Sequence, residues 1–278
     1  MREKRDSPLS ISYYLRNPHG GAVQADGITS ANTVGYNTTT VVADQFYMIG
    51  VQLADVAGDG TSAEFNSFLS TTCVPGTYGD GNDVTMGNAP MIQVLTSDGK
   101  GYSYYYYIND ADDGSGNYVA TEWVDAQGYN LTAEAAQELS KGFWFKSATA
   151  GTLTCAGQVL SVDTFQRTVP AGQFEIVANP YPVALALNTP TTSGFTPGTY
   201  GDGNDVTMNN APMIQVLSAD GKGYAYYYYI NDADDGAGNY TATEWVDGQG
   251  YNLTGTQVPA GQAFWIKSAT AGTFTFDL

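Results

Sequence analysis

An all-β fold, built from two tandem antiparallel β-sandwich modules behind an N-terminal extended arm, is what this sequence predicts. Three observations carry the prediction. The 278 residues include 33 Gly and 21 Tyr, with much Thr, Asn and Asp and little Lys, Glu or Leu. Tyr, Thr and Val suit pleated strands, while Gly, Asn and Asp supply turns. PGTYGDGNDVTM at 75–86 recurs at 197–208, and from Pro75 to Leu131 against Pro197 to Leu253, 50 of 57 positions are identical. Short apolar runs are punctuated by turn signals such as Asp98-Gly99 and Asp220-Gly221.

The repeat defines the organisation. After the near-identical stretch, GFWFKSATAGTLT (142–154) matches AFWIKSATAGTFT (263–275) at a shift of 121, and TVVADQFYMIGVQ (40–52) more loosely resembles TVPAGQFEIVANP (168–180) at a shift of 128. The expected parts are an arm at 1–30, a first module at 31–155 and a second at 156–278. In the first module the expected strands are Asn37–Val42, Phe46–Leu53, Ala89–Leu95, Tyr102–Ile108, Tyr118–Val124, Phe143–Lys146 and Thr152–Val159. Thr132–Leu139 (TAEAAQEL) is the helical candidate. Its counterpart contains Gly255 and Pro259 and is a poor helix.

In the arm, MREKR resembles the charged start of a secretion signal, and Val23-Gln24-Ala25 has the small-residue character of a cleavage site. The apolar segment between them is missing, so 1–25 reads as something other than an ordinary signal peptide. Leu9, Ile11, Tyr13 and Leu15 alternate with Ser10, Ser12, Tyr14 and Arg16, a period-2 pattern over 8–16. Such a strand can add to the sheet of a neighbouring copy.

Charge narrows the partners. Four of ten basic residues fall before residue 26, leaving 6 Lys and Arg against 26 Asp and Glu in the remainder, a formal charge of −20. That field repels nucleic acid and anionic membrane surfaces, and no apolar run is long enough to span a bilayer.

Cys73 stands where the second repeat has Phe195, and Cys155 where it has Phe276. A paired exchange of this kind is expected of positions in contact, which predicts a Cys73–Cys155 disulfide and, with it, an oxidising compartment. Two clusters of oxygen donors offer calcium: Asp110, Asp112 and Asp113 with Asp80 and Asp83, repeated as Asp232, Asp234, Asp235, Asp202 and Asp205. Their spacing does not follow the EF-hand order, so Ca²⁺ is an expectation from composition, weighed against turns in which Asp and Asn cap backbone amides.

YYYYINDADDG occurs twice, at 104–114 and 226–236. Alternation puts Tyr102, Tyr104 and Tyr106 on one face of an extended strand and Tyr105 and Tyr107 on the other. Tyr105, Tyr107, Tyr227 and Tyr229 are the expected assembly interface, joined by Leu9, Ile11, Tyr13 and Leu15 of the arm. Stacking of glycans on Tyr, with Trp123 and Trp245 on the returning strand, is the alternative. No catalytic constellation is legible. The one histidine, His19, lies in the arm, no nucleophile elbow or phosphate loop occurs, and Glu122 and Glu244 are weak candidates for a carboxylate pair.

Val34-Gly35-Tyr36, Ala171-Gly172, Gly142-Phe143-Trp144 and Gly151-Thr152-Leu153-Thr154 resemble motifs of uncharacterised secreted β-proteins of planctomycete and verrucomicrobial-type bacteria. The resemblance touches both repeats, leaves 1–30 unmatched, and implies export without assigning an activity. The leading expectation is therefore a non-enzymatic, exported subunit of an extracellular fibre or surface lattice, a homopolymer assembled by β-strand addition. The alternative is a calcium-dependent carbohydrate-binding or adhesion protein.

Overall fold

The computed structural model describes residues 34–277, apart from 55–61, 78–87, 113–117, 130, 132–136, 139–140, 160–163, 182, 189, 199–210, 235–239, 252 and 254–255. The candidate donor strand 8–16 lies outside the described residues. Val34–Leu278 forms one compact unit containing both repeats.

The chain is nearly all β, and the two repeats share one topology. In the first, a large sheet runs in the order Phe46–Gly50, Gly142–Lys146, Met91–Leu95, Tyr102–Asp112, with Tyr118–Asp125 on the far edge of the tyrosine strand. A smaller sheet sets Val34–Val41 against Gly151–Val159, whose other edge takes Leu53–Ala54 and Leu69–Thr71. The second repeat reproduces the order as Phe174–Ala178, Ala263–Lys267, Met213–Leu217, Tyr224–Asp234, Tyr240–Asp247, beside Thr164–Val169, Gly272–Asp277 and Thr191–Ser193. Gly151–Val159 runs four residues past the expected module boundary at 155.

Local chemistry explains the turns. At Asp98-Gly99 the carboxylate accepts from Thr96 Oγ1 at 2.6 Å and from the Lys100 amide at 3.1 Å, and Gly99 supplies φ of +66°. Ser218, Asp220 and Gly221 repeat the arrangement, with φ +67° at the glycine.

Alternation then sorts the side chains. Phe143 and Phe145 of GFWFK enter the first repeat's core with Ile92 and Trp123 from the large sheet and Val41, Leu69, Leu153 and Cys155 from the small one. Trp123 is fully buried, and each such side chain contributes roughly 2–3 kcal/mol by leaving water. Val169, Ile214, Trp245, Phe264, Ile266 and Phe274 form the matching core of the second repeat.

Side-chain amides close the outer edge of each large sheet. Asn66 accepts from the Trp123 amide at 2.7 Å and donates to the Trp123 carbonyl at 3.0 Å, which satisfies both free ladder groups of that residue. Asn188 does the same at Trp245. Asn66 is presented by Phe65–Phe68, a single helical turn that the sequence pattern did not predict. The expected helix at Thr132–Leu139 falls largely outside the described residues, but Gln137–Glu138 within it is a strand paired with Ser62–Ala63.

The expected disulfide is corrected. Cys73 and Cys155 are both free, buried thiols. Cys73 lies against Gly151, where an added Cβ would sit 3.1 Å from the Cys73 Cα. Cys155 is four residues further along that strand, about 13 Å at ~3.3 Å per residue, so the two Cα atoms exceed the ~7 Å a disulfide spans. Burial pushes the Cys155 thiol up to about 12. The paired exchange has a different cause. Phe65 and Phe68 of the first repeat align with Leu187 and Pro190 of the second, while Cys73 and Cys155 align with Phe195 and Phe276. All eight are buried, and all but Pro190 belong to the two core clusters, with large rings and smaller side chains in exchanged places. Conserved volume links the positions, without a covalent bond. The argument for an oxidising compartment falls with the bridge.

Candidate binding site at the seam of the two repeats

With Phe143 and Phe145 turned inward, Gly142, Trp144 and Lys146 face outward from the first large sheet. Ala263, Trp265 and Lys267 do so from the second. These outer faces meet. Ile49 bridges Gln262, and Lys141 bridges Val177. Because Ile49 aligns with Val177 and Lys141 with Gln262, the two bridges are one contact seen from opposite sides. The seam is therefore isologous, like the interface of a twofold dimer. Small residues lie on its axis. A Cβ on Gly50 would come 2.5 Å from that of its counterpart Ala178, and one on Gly142 would come 2.3 Å from that of Ala263. Trp144 and Trp265 stack obliquely across the axis, 6.3 Å between centroids and 51° between planes, amid Met48, Ile176 and Leu217.

Two clefts flank the tryptophans as symmetry mates. One, of about 340 Å³, is walled by Phe46, Gln93, Tyr102 and Trp144 of the first repeat and Leu217, Lys222, Tyr224 and Trp265 of the second. The other, of about 310 Å³, exchanges the roles: Phe174, Gln215 and Trp265 face Leu95, Lys100 and Tyr102. Each cleft continues onto a tyrosine pair. Tyr102 and Tyr104 lie 6.5 Å apart at 56°, and Tyr224 and Tyr226 lie 6.4 Å apart at 56°. Tyr104 is 39% exposed and Tyr226 44%. Desolvation raises the pKa of Tyr102 and Tyr224, opposed by hydrogen bonds from the Trp144 and Trp265 side chains respectively. Both phenols are therefore neutral near pH 7, able to donate and to accept.

The cations gather here as well. Lys146 sits 5.3 Å from the Phe46 ring centre and Lys267 sits 4.9 Å from that of Phe174. Lys100 and Lys222 line the clefts. Arg167 crosses the seam to Glu138, which also lies 3.6 Å from Lys141, and Arg167 holds Glu175 at 3.1 Å. The Arg167 hydrogen bond holds the Glu138 carboxyl below the usual carboxylate range. Those six are all the basic residues after residue 26.

The structure places the sequence-predicted residues elsewhere. Tyr105, Tyr107, Tyr227 and Tyr229 pack half-buried on the inner cores of their own repeats. Trp123 and Trp245, 0% and 2% exposed, are core residues and present no stacking face. Asp80, Asp83, Asp113, Asp202, Asp205 and Asp235 lie outside the described residues. Asp110, Asp112, Asp232 and Asp234 are in strands, their side chains outside the description. Gly76–Thr77 pairs in parallel with Ile108–Asn109, on the strand that carries Asp110 and Asp112. Tyr102 and Asp112 are ten residues apart on that strand, so the acidic end is about 30 Å from the clefts. Among the described residues no group of three His, Cys, Asp or Glu side chains is placed to hold a metal.

The site residues that the sequence reading passed over are Trp144, Trp265, Phe46, Phe174, Tyr102 and Tyr224. Their signal was present: GFWFK and AFWIK carry aromatic or apolar side chains on both faces, so one face needed a partner other than the module's own core. Comparisons with models of known protein families, with curated proteins and with solved structures find no match.

Proposed function

We propose that this chain is a non-catalytic carbohydrate-binding protein of the cell surface or extracellular space, built as two tandem sandwich modules whose seam is the binding face. The observation that carries the reading is the symmetric pair of clefts, walled by tryptophan and opening onto exposed tyrosines. Sugar rings present flat C–H faces that stack on aromatic side chains, and their hydroxyls need a few fixed polar partners. Gln93, Gln215 and the neutral Tyr102 and Tyr224 hydroxyls supply such partners beside the rings. The rings already stand on strands of the two large sheets, so little side-chain entropy is lost on binding. The test is retention of the full chain in affinity gels containing a panel of polysaccharides, repeated with Tyr104→Ala/Tyr226→Ala. Retention by at least one polysaccharide, reduced at least tenfold in the double variant, is expected. Absence of retention across the panel, or retention indifferent to the tyrosines, overturns the reading.

One observation favours self-assembly as a second reading. Val34–Val41 pairs with Gly151–Val159 along one edge and, among the described residues, with no strand along the other. Val34 is 61% and Tyr36 78% exposed. An eight-residue open edge accepts an added strand, and residues 8–16 of another copy have the alternation to provide one. Negative-stain microscopy of the full chain and of a chain lacking residues 1–25 decides it. Filaments that need those residues support it, and filaments formed equally without them refute it.

A further inference from the structure

We propose that the ligand of the seam is an acidic polysaccharide, one whose sugar rings carry carboxylates, held with its rings on the tyrosines and its carboxylates on Lys100 and Lys222. This rests on the carbohydrate-binding reading above and adds the chemical class of the ligand. The charge distribution carries it. From residue 26 onward the chain holds 6 cations against 26 carboxylates, and every one of the six lies at the seam. A body of formal charge −20 repels a polyanion over most of its surface, so among the described residues the cations of the seam set where such a ligand can land.

Partners in the fold divide these cations. Arg167 and Lys141 are engaged with Glu138 and Glu175, across and beside the seam. Lys146 lies 3.6 Å from Asp44. Lys100 and Lys222 are exposed at the cleft rims, and among the described residues neither has a carboxylate within ion-pair distance. The nearest acids in sequence, Asp98 and Asp220, are occupied by their turns. Each accepts from a hydroxyl at 2.6 Å and from the lysine's own backbone amide at 3.1 Å. The turn thus directs its carboxylate to the backbone and leaves the ammonium beside Tyr102 or Tyr224. Among the described residues Lys267 is a third cation without a close acid, because the position of Asp44 is Gly172 in the second repeat.

Ring stacking and charge pairing fall on the same two clefts. A uronate polymer has that combination, with one carboxylate per ring at the rim of a flat apolar face. The pseudo-twofold axis offers each half of the seam the same set of groups. A single chain crossing the axis engages both lysines and both tyrosine pairs, so affinity rises steeply once an oligomer is long enough to reach both clefts.

Titration calorimetry of the full chain against polygalacturonate, a neutral glucan and a single-stranded oligothymidylate tests the class. Expected are binding to polygalacturonate that weakens with added salt, and a loss of at least tenfold in Lys100→Gln/Lys222→Gln. That exposed double variant is expected to keep the thermal midpoint of the parent. Binding to the neutral glucan alone, or polygalacturonate binding unchanged by the lysine variant, overturns the acidic ligand while leaving carbohydrate binding intact. Tighter binding to the oligonucleotide overturns it in favour of single-stranded nucleic acid. No binding to any of the three overturns both readings.

Discussion

Gly142 and Ala263, the same position of the two repeats, approach so closely that a Cβ on the glycine would lie 2.3 Å from that of the alanine and 2.5 Å from Ile176 Cγ2. The seam, and the clefts beside it, depend on that missing methyl group.

Gly142→Ala is accordingly expected to destabilise the fold by about 1–3 kcal/mol, through overpacking of a close contact. For a unit of this size that corresponds to a lowering of the thermal midpoint by roughly 2–4 °C per kcal/mol. Gly101→Ala, whose added Cβ has no neighbour nearer than 3.8 Å, is the control and is expected to change little. Denaturant melts of both variants make the comparison.

Asn66 holds both backbone groups of Trp123, at 2.7 and 3.0 Å. Asn66→Ala leaves them unpaired at a sheet edge and is expected to cost about 1–3 kcal/mol. Asn188→Ala should cost a similar amount. Faster aggregation on partial denaturation, read by light scattering, is expected from the uncovered edge.

Both thiols are buried in the native state. Cys155, with its thiol pushed up to about 12 by burial, is expected to resist alkylation at pH 8 until the chain unfolds. Unfolding without reductant should then release two titratable thiols per chain. A value of zero would restore the disulfide.

Acid should loosen the seam through Glu138. Its pKa is lowered in the fold, chiefly by the Arg167 hydrogen bond, so its contribution is present above the unfolded carboxylate value of about 4.3 and is lost as pH falls through the folded value. Glu138→Gln is expected to reduce stability at pH 7 by no more than about 1 kcal/mol, since the side chain is 61% exposed. The difference between variant and parent should shrink as the pH falls below the unfolded carboxylate value. Urea midpoints measured from pH 3 to 7 check both the sign and the window.

Much of the fold was legible from local chemistry. The strand at Tyr102, the turn at Asp98-Gly99 and the strand Gly142–Lys146 follow from β propensity, φ > 0 at glycine and period-2 alternation, each written within a few neighbouring residues. The candidate site was legible only in part. Alternation along YYYYINDADDG assigned Tyr105 and Tyr107 to one face and Tyr104 to the other. It had no means of telling which face the core would take, because both are aromatic. The cysteines show the same limit. Their exchange for Phe195 and Phe276 pointed to a bond that the fold does not make, because substitution within a shared core and pairing through a bond leave the same trace in a sequence.

By itself, then, the sequence determined a β-rich chain of two alike repeats with its cations few and its body acidic. The tertiary structure alone decided that the outer faces of the two large sheets meet about a pseudo-twofold axis at Gly50, Gly142 and the Trp144–Trp265 pair. Propensity and alternation act over a few residues. Which faces join is a matter of complementary shape between segments more than a hundred residues apart, and the six cations gather at one seam only after that joining.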